Sequence, residues 1–335
     1  MPDVVALASE LLAIQSTSGA EGGAVEFVSR WLIGRGWNVE LQEVSRGRAN
    51  VWATHKGHGV AFSTHLDTVP PFVASREDED HIWGRGACDT KGIIASMIKA
   101  VEALLAAGQR DIGLLFVVGE ERNSAGAYKA ATTPRGSRYI VNGEPTENKL
   151  ALGSKGALRY EVVAAGKMAH SAYPELGESA IHKLLDALDG IRRIPLPSDP
   201  LLGPSTLNVG TLSGGRAPNV IADEAKADVM IRLVGESTEI KADLARAAEG
   251  LAELREVIEI PALHLGAVDA IPTTVVAFTT DIPAFGGAWG EPFLIGPGSI
   301  HVAHTLEERV PKTQLLEAVE LYQRIVRDLC KRESK

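Results

Sequence analysis

A run of apolar residues that ends in two adjacent acids constrains the fold of this chain most strongly. Residues 112–118 are apolar or glycine, and Gly119, Glu120 and Glu121 follow directly. Such a short run is typical of a strand that is buried on both faces, as in the middle of a parallel sheet. Two like charges at its end repel each other unless positive charge lies nearby, and Arg122 supplies only one. The segment therefore predicts either a charged site at the strand end or, more simply, a pair of solvated loop acids.

Predicted helices and strands alternate on either side of this segment. Apolar residues recur at helical spacing over residues 4–12, 25–32 and 94–105. Strand patterns occur around residues 39–41, 51, 60–63 and 139–141. This alternation predicts an α/β fold with an open sheet, in which ligand sites collect beyond the carboxyl ends of the strands.

The pattern changes from about Gly156 onward. Strands are predicted at 158–164, 206–212, 225–233 and 257–260, and helices at 178–191 and 238–251. Strands at 274–278 and 293–295 and a long helix from Lys312 then return to the first pattern. We therefore predict a discontinuous first domain, 1–155 and 262–335, and an α+β domain inserted at 156–261.

Composition and charge exclude several classes of protein. No apolar run is long enough to cross a membrane, and no basic and apolar leader begins the chain. Two distant cysteines, Cys88 and Cys330, are too few for a disulfide framework, so a reducing, cytoplasmic location is expected. The formal charge of −9 without a Lys/Arg-rich block argues against nucleic acid as a partner.

Two further motifs carry residues suited to binding metal. In the segment STHLDTVP, His65 and Asp67 lie on the same side of an extended chain, so that the carboxylate could hold the imidazole. A surface histidine beside a turn acid is the alternative. In GRGACDTKG, Asp89 precedes a predicted helix and could equally be its N-cap.

Two more candidates follow later strands: Glu144 in NGEPT and His304 in VAHT. Either residue by itself would be an ordinary polar residue after a strand. Together with three of the residues above they form a set of two imidazoles and three carboxylates, which suits a pair of zinc ions. The set is His65, Asp89, Glu121, Glu144 and His304.

The chain resembles the superfamily of acetylornithine deacetylase, succinyl-diaminopimelate desuccinylase, aminoacylase and glutamate carboxypeptidase. The resemblance rests on STHLDTVP, GRGACDTKG, GEE, GEPT and AHTLEE in this order, and it extends over essentially the whole chain. It implies a mixed-sheet di-zinc hydrolase domain and an inserted α+β lid and dimerisation domain. Two Zn²⁺ ions are expected, with Co²⁺ able to substitute.

The resemblance also implies individual roles. Asp89 is expected to bridge both metals, with a cis peptide bond to Thr90. His65 and Glu144 would complete one metal site, and Glu121 and His304 the other. Asp67 is expected behind the metal ligands. Glu120 is expected to act as the general base, taking a proton from the attacking water and giving it to the departing amine.

In the inserted domain, the resemblance implies that His170 contributes to the oxyanion hole of the other subunit of a homodimer. A structural histidine at a turn is the alternative. Arg216 and Asn219, in GGRAPNV, and Arg232 resemble contacts to the substrate carboxylate. For Arg232, a surface salt bridge is nearly as good an interpretation.

These observations predict hydrolysis of an N-acyl amino acid, such as N-acetylornithine, N-acetyllysine or N-acetylcitrulline. A carboxypeptidase or an N-succinyl-diaminopimelate desuccinylase is the alternative. A zinc-binding scaffold without activity is a rival of a different class. The presence of Glu120 and of all five ligands argues against that rival, because a degenerate relative is expected to lose such residues.

Overall fold

The computed structural model describes residues 4–332. The helices are α1 (Val4–Leu12), α2 (Gly22–Ile33), α3 (Gly92–Ala106), α4 (Glu120–Asn123), α5 (Ala125–Ala131), α6 (Ala180–Arg192), α7 (Thr238–Ala248), α8 (Ile282–Phe285) and α9 (Lys312–Arg332). The strands of the first half are β1 (Asn38–Ser45), β2 (Arg48–Thr54), β3 (Gly57–His65), β4 (Arg76–Glu77), β5 (His81–Trp83), β6 (Asp111–Val117), β7 (Tyr139–Asn142), β8 (Leu150–Ser154) and β9 (Gly156–Ala165). Those of the second half are β10 (Ser198–Asp199), β11 (Gly203–Pro204), β12 (Thr206–Gly214), β13 (Glu224–Leu233), β14 (Glu253–Ile260), β15 (Leu263–His264), β16 (Thr273–Val276), β17 (Glu291–Leu294) and β18 (Arg309–Pro311).

The chain divides into two compact units. One contains the chain up to Leu152, Leu265–Thr274 and the chain from Thr280, and the other contains Gly153–His264 and Val275–Thr279. Two of the divisions fall close to the predicted boundaries at 155/156 and 261/262, whereas Val275–Thr279 belongs to the second unit although it was predicted within the first domain. None of the helices within residues 4–332 combines the length and apolarity needed to cross a membrane.

The first unit is built on a mixed sheet with the order β1-β2-β6-β3-β7-β17-β8. Its central strands β6, β3, β7 and β17 run parallel, whereas β1 and β2 are antiparallel. His65 lies beside Val117 in the parallel register, so β3 and β6 end together. The apolar run at 112–118 is completely buried, as its composition predicts. The predicted α/β class with a mixed sheet is confirmed.

The position of α3 explains how the first unit is held together. Its residues from Gly92 to Val101 are all buried, and the helix packs against α1 and α9. Amphipathic α9 contributes its buried face, which includes Tyr322, Val326 and Leu329. This apolar packing anchors the start of α3, and with it the turn that carries Asp89.

The second unit contains an antiparallel sheet with the order β12-β13-β9-β14. Alternate residues of β13 are buried, and these pack with α6 and α7 in one apolar core. The predicted helix at 238–251 ends earlier, at Ala248, because Glu249 leaves the helical conformation (ψ 125°) and Gly250 then adopts a left-handed one with φ +70°. The predicted helix at 178–191 begins at Ala180, where the Ser179 hydroxyl accepts a hydrogen bond from the His182 N–H.

Candidate metal centre

The parallel strands of the first unit deliver most of the predicted metal ligands to one edge of the sheet. His65 is the last residue of β3, Glu120 and Glu121 follow β6, and Glu144 follows β7. Because parallel strands share the direction of their carboxyl ends, these side chains converge. His304 lies in the connection from β17 to β18, and its backbone has a positive φ of +64°.

Asp89 lies between the two imidazoles. Its Oδ1 atom is 3.0 Å from His65 Nε2, and its Oδ2 atom is 3.2 Å from His304 Nε2. His304 Nε2 is also 3.1 Å from Glu121 Oε2. Ligand atoms of His65, Asp89 and Glu121 all lie within 4.8 Å of one another. Glu120 Oε2 lies 4.0 Å from His65 Nε2.

The carboxylate of Asp67 has a different role from the expected one. The Nδ1 atom of His65 contacts the backbone carbonyl of Asp67 at 2.9 Å, whereas the nearer carboxylate oxygen is 3.7 Å away. The carboxylate instead accepts hydrogen bonds from the N–H groups of Gly119, Glu120 and Glu121 and from the Ser18 hydroxyl. Asp67 therefore fixes the turn after β6 from which Glu120 and Glu121 project.

Asp89 is not a helix cap. No side chain caps the first turn of α3, and both carboxylate oxygens of Asp89 contact imidazoles. The residue belongs to an irregular turn, Ala87–Lys91, in which its own dihedral angles (φ −128°, ψ 81°) are not helical. The expected cis peptide bond between Asp89 and Thr90 is present.

Burial and mutual charge shift the pKa values of this cluster in opposite directions. Burial raises the pKa of the Glu144 and Glu120 carboxyls well above their usual value, although the charge of His65 opposes the shift. Burial lowers the pKa of His65, but the hydrogen bond to Asp89 and the charges of Asp89, Glu120 and Glu144 together outweigh it and raise the pKa well above the usual value. Hydrogen bonds to Asp89 and Glu121 raise the pKa of His304 to about 10.

The donor set fits divalent cations. Two imidazoles can supply at most two positive charges to four clustered carboxyl groups, those of Asp89, Glu120, Glu121 and Glu144. Buried carboxylates are costly without compensating charge. The Oε1 atoms of Glu121 and Glu144 are also buried without a hydrogen-bond partner among the described residues. Nitrogen and oxygen donors of this kind are typical ligands of Zn²⁺.

Sequence reasoning missed a further buried acid, Asp281. Its side chain is 1% exposed, and neither carboxylate oxygen has a hydrogen-bond partner of normal geometry within residues 4–332. Burial, with the charges of Asp67 and Glu121, raises the pKa of Asp281 to about 7, although the Ser124 side chain and the charge of His65 oppose the shift. In the sequence it immediately precedes the short helix α8 and looks like an ordinary cap, so no local signal marks it.

The remaining predicted site residues belong to the second unit. His170 is exposed, and its Nδ1 atom accepts a hydrogen bond from the Ala172 N–H at 3.1 Å, which leaves Nε2–H as an available donor. The segments of His170 and Asn219 are paired, because the Ser171 N–H donates to the Asn219 carbonyl at 3.0 Å. Arg216 forms a two-point ion pair with Asp223.

Arg232 differs from Arg216. It is half-buried on β13, and its guanidinium makes no hydrogen bond or ion pair with any acceptor in residues 4–332. The alternative interpretation, a surface salt bridge, is therefore wrong for this residue. Burial lowers the pKa of its guanidinium, as expected for a cation without a compensating anion.

Comparisons with known proteins agree with this architecture. The family model "Peptidase family M20/M25/M40" matches residues 61–328. A peptidase M20 domain-containing protein of Schizosaccharomyces pombe is 39% identical over 97% of this chain and 84% of its own length. A probable carboxypeptidase of Neosartorya fischeri is 36% identical over 95% of this chain and 84% of its own length.

Among solved structures, aminopeptidase PepT from Bacillus cereus has the same fold. The TM-score is 0.83 with 20% identity, and the match covers 98% of both chains. The long family match, the identity to the fungal proteins and the clustered ligands lead to one conclusion. This chain belongs to peptidase family M20/M25/M40 and is a metallopeptidase-like hydrolase.

Proposed function

We propose that this chain is a two-metal hydrolase that cleaves an amide bond on the nitrogen of an amino acid whose α-carboxylate is free. The placement of Asp89 between His65 and His304, with one oxygen toward each imidazole, carries this proposal. A carboxylate in that position can bridge two cations, one on the His65 side with Glu144 and one on the His304 side with Glu121. Metal ions bound there would polarise the scissile carbonyl and lower the pKa of the attacking water.

Glu120 is the proposed general base. Adjacent residues cannot easily direct their side chains to one point, and Glu121 is the one that contacts His304. Glu120 instead lies near His65, where its carboxylate can accept the proton of the attacking water. It can then deliver that proton to the nitrogen of the departing amino acid. Asp67 supports both steps, because it fixes the backbone N–H groups of the turn.

Two substrate classes share this scissile bond. The sequence motifs favour N-acyl amino acids, with acetyl as the expected acyl group. The name of the Neosartorya relative favours peptides that are cleaved at the carboxyl terminus. In both cases the product is an amino acid with a new free amine, so the proposed chemistry is the same.

A substrate panel tests the proposal. The protein, loaded with Zn²⁺ or Co²⁺, is incubated with N-acetyl amino acids, dipeptides, and N-succinyl-diaminopimelate, and the released amino acid is quantified. Each substrate is paired with its α-carboxamide, which keeps the amide bond but lacks the carboxylate. We expect hydrolysis of the free acids and little turnover of the carboxamides. Equal turnover of both members of each pair would contradict the proposed requirement for a carboxylate.

Arg232 is the residue that we propose to bind the substrate carboxylate. Arg232→Met is expected to raise KM about 10–100-fold for the free acid, because a charged hydrogen bond contributes about 1.5–3 kcal/mol. The low kcat/KM for the carboxamide should stay nearly constant, because this substrate has no carboxylate for Arg232 to bind. Arg216→Met is the matched comparison and should have a smaller effect, because Asp223 already occupies its guanidinium. An unchanged KM in Arg232→Met would contradict this assignment.

We also propose that the protein is a homodimer assembled through the second unit. Strand β12 lies at an edge of its sheet and is largely exposed. Beside it, a groove of about 650 Å³ is lined by Leu185, Leu188, Leu207 and Leu212, of which Leu185 and Leu212 are about half exposed. Asp189, Arg192 and Asn208 also line the groove, but most of its lining is apolar. An exposed strand edge beside such a groove is a surface suited to pairing with a second copy.

Subunit mixing tests whether His170 serves the active site of the other subunit. Glu120→Ala and His170→Ala subunits are each expected to be nearly inactive. After exchange, half of the dimers are mixed, and one site in each mixed dimer has both residues intact. Activity should therefore recover to about a quarter of the unaltered protein if the sites are independent. No recovery after demonstrated exchange would show that His170 is not shared.

A further inference from the structure

Glu308 is a buried acid that is not among the five residues expected to bind the two metal ions. Its side chain is 1% exposed, and it follows His304 by four residues. Its Oε1 atom accepts hydrogen bonds from the Gly86 N–H at 2.9 Å and the Asp89 N–H at 3.3 Å, and the Cys88 thiol approaches it at 3.8 Å. Its Oε2 atom forms a 2.5 Å ion pair with Arg85.

We propose that Glu308 is a positioning residue that holds Asp89 between His65 and His304. Glu308 belongs to the segment that carries His304, whereas all its partners belong to the segment that carries Asp89. The backbones of the two segments are also joined, because the Gly84 N–H donates to the Glu308 carbonyl and β18 pairs with β5. Glu308 thereby ties together two ligands that are distant in sequence. The inference rests on the metal centre proposed above.

The local backbone explains why an acceptor is needed at this point. The turn Ala87–Lys91 is not a regular helix at Asp89 and Thr90, and among residues 4–332 the acceptor for the Asp89 N–H is the Glu308 side chain. A buried N–H group without an acceptor costs roughly the free energy of a lost hydrogen bond. Removing the Glu308 oxygen would therefore release the backbone of Asp89 and let its carboxylate leave the position between the imidazoles.

A simpler role for Glu308 is to neutralise Arg85. Arg85 is 2% exposed, and a buried cation needs a nearby anion. Its Nε–H donates a hydrogen bond to the Pro71 carbonyl, which is neutral and supplies no charge. The two roles separate chemically, because a glutamine retains the acceptor oxygen without the charge. They can therefore be tested in a background from which the Arg85 charge has been removed.

The experiment compares Arg85→Met/Glu308→Gln with Arg85→Met/Glu308→Leu. Both double variants lack the ion pair, but only the first retains an acceptor for the Gly86 and Asp89 N–H groups. The proteins are stripped of metal, and Zn²⁺ affinity is measured by competition with a chromophoric chelator. We expect the leucine variant to bind Zn²⁺ about 10–100-fold more weakly than the glutamine variant, as for other residues that orient metal ligands.

The control for general destabilisation is Leu329→Ala, a core truncation in α9 of the same unit. It should lower the unfolding temperature of the metal-free protein while leaving Zn²⁺ affinity nearly unchanged. Equal Zn²⁺ affinities of the two double variants would overturn the proposal. The same conclusion would follow if the leucine variant lost no more affinity than Leu329→Ala does.

A milder single variant, Glu308→Asp, can be measured if Arg85→Met/Glu308→Leu does not fold. Glu308→Asp keeps the charge opposite Arg85 but is one methylene shorter, so the Asp89 N–H loses its acceptor. We expect weaker Zn²⁺ binding, and unchanged affinity would overturn the proposal. Failure of the unaltered protein to bind Zn²⁺ would overturn the metal centre itself, and the unaltered sample distinguishes that outcome from a failure of Glu308 alone.

Discussion

Glu120→Gln is expected to lower kcat by about 10²–10⁴-fold or more while the protein keeps its bound metal. Glutamine has nearly the same shape as glutamate, but it cannot accept a proton from water at neutral pH. The loss should appear in kcat and not in KM, because the proton is transferred only during the chemical step. Steady-state kinetics on the best substrate of the panel, together with metal analysis of the same samples, provides the measurement.

Glu121→Gln is the matched control for this variant, because the two residues are adjacent and the substitution is chemically identical. Glu121 contacts His304 at 3.1 Å, so its variant should lose metal affinity as well as activity. Glu120→Gln should lose activity alone. A Glu120→Gln protein with near-normal kcat, or one that no longer holds metal, would rule out the assigned role.

Asp89→Asn is expected to have the largest effect on metal binding. The substitution removes the single charge that lies between two imidazoles, at 3.0 and 3.2 Å. Metal affinity should fall by more than the roughly 10–100-fold typical of residues that only orient ligands, and hydrolysis should fall to background. Metal content after dialysis and chelator competition measure the first effect, and the substrate panel measures the second.

Asp111→Asn is a suitable control for Asp89→Asn. Asp111 begins β6, at the opposite end of the strand from Glu120, and its carboxylate accepts hydrogen bonds from the His58 and Gly59 N–H groups. This variant also loses one carboxylate that accepts hydrogen bonds, but it should retain metal and activity. Stoichiometric metal binding by Asp89→Asn would contradict a bridging role for Asp89.

The sequence predicts the residues of the cluster because of one geometric rule. Parallel strands end at the same edge of a sheet, so acids and imidazoles after successive apolar strands must lie near one another. His65, Glu121 and Glu144 follow this rule in the structure. The rule does not say which contacts each side chain makes. The Nδ1 atom of His65 lies 2.9 Å from the Asp67 carbonyl and 3.7 Å from the nearer Asp67 carboxylate oxygen.

The acidic residues show most clearly which features the sequence determined and which only the tertiary structure decided. Local sequence determined the apolar strands, the helices and the kinds of ligand at the strand ends, because burial periodicity is a property of short segments. Only the tertiary structure decided that Asp67 holds the turn after β6 and that Glu308 reaches the Asp89 segment. It also decided that Asp281 is buried without a hydrogen-bond partner of normal geometry among residues 4–332. A carboxylate finds its donors among loops that are far apart in sequence, and it is the packing of the whole unit that brings those loops together.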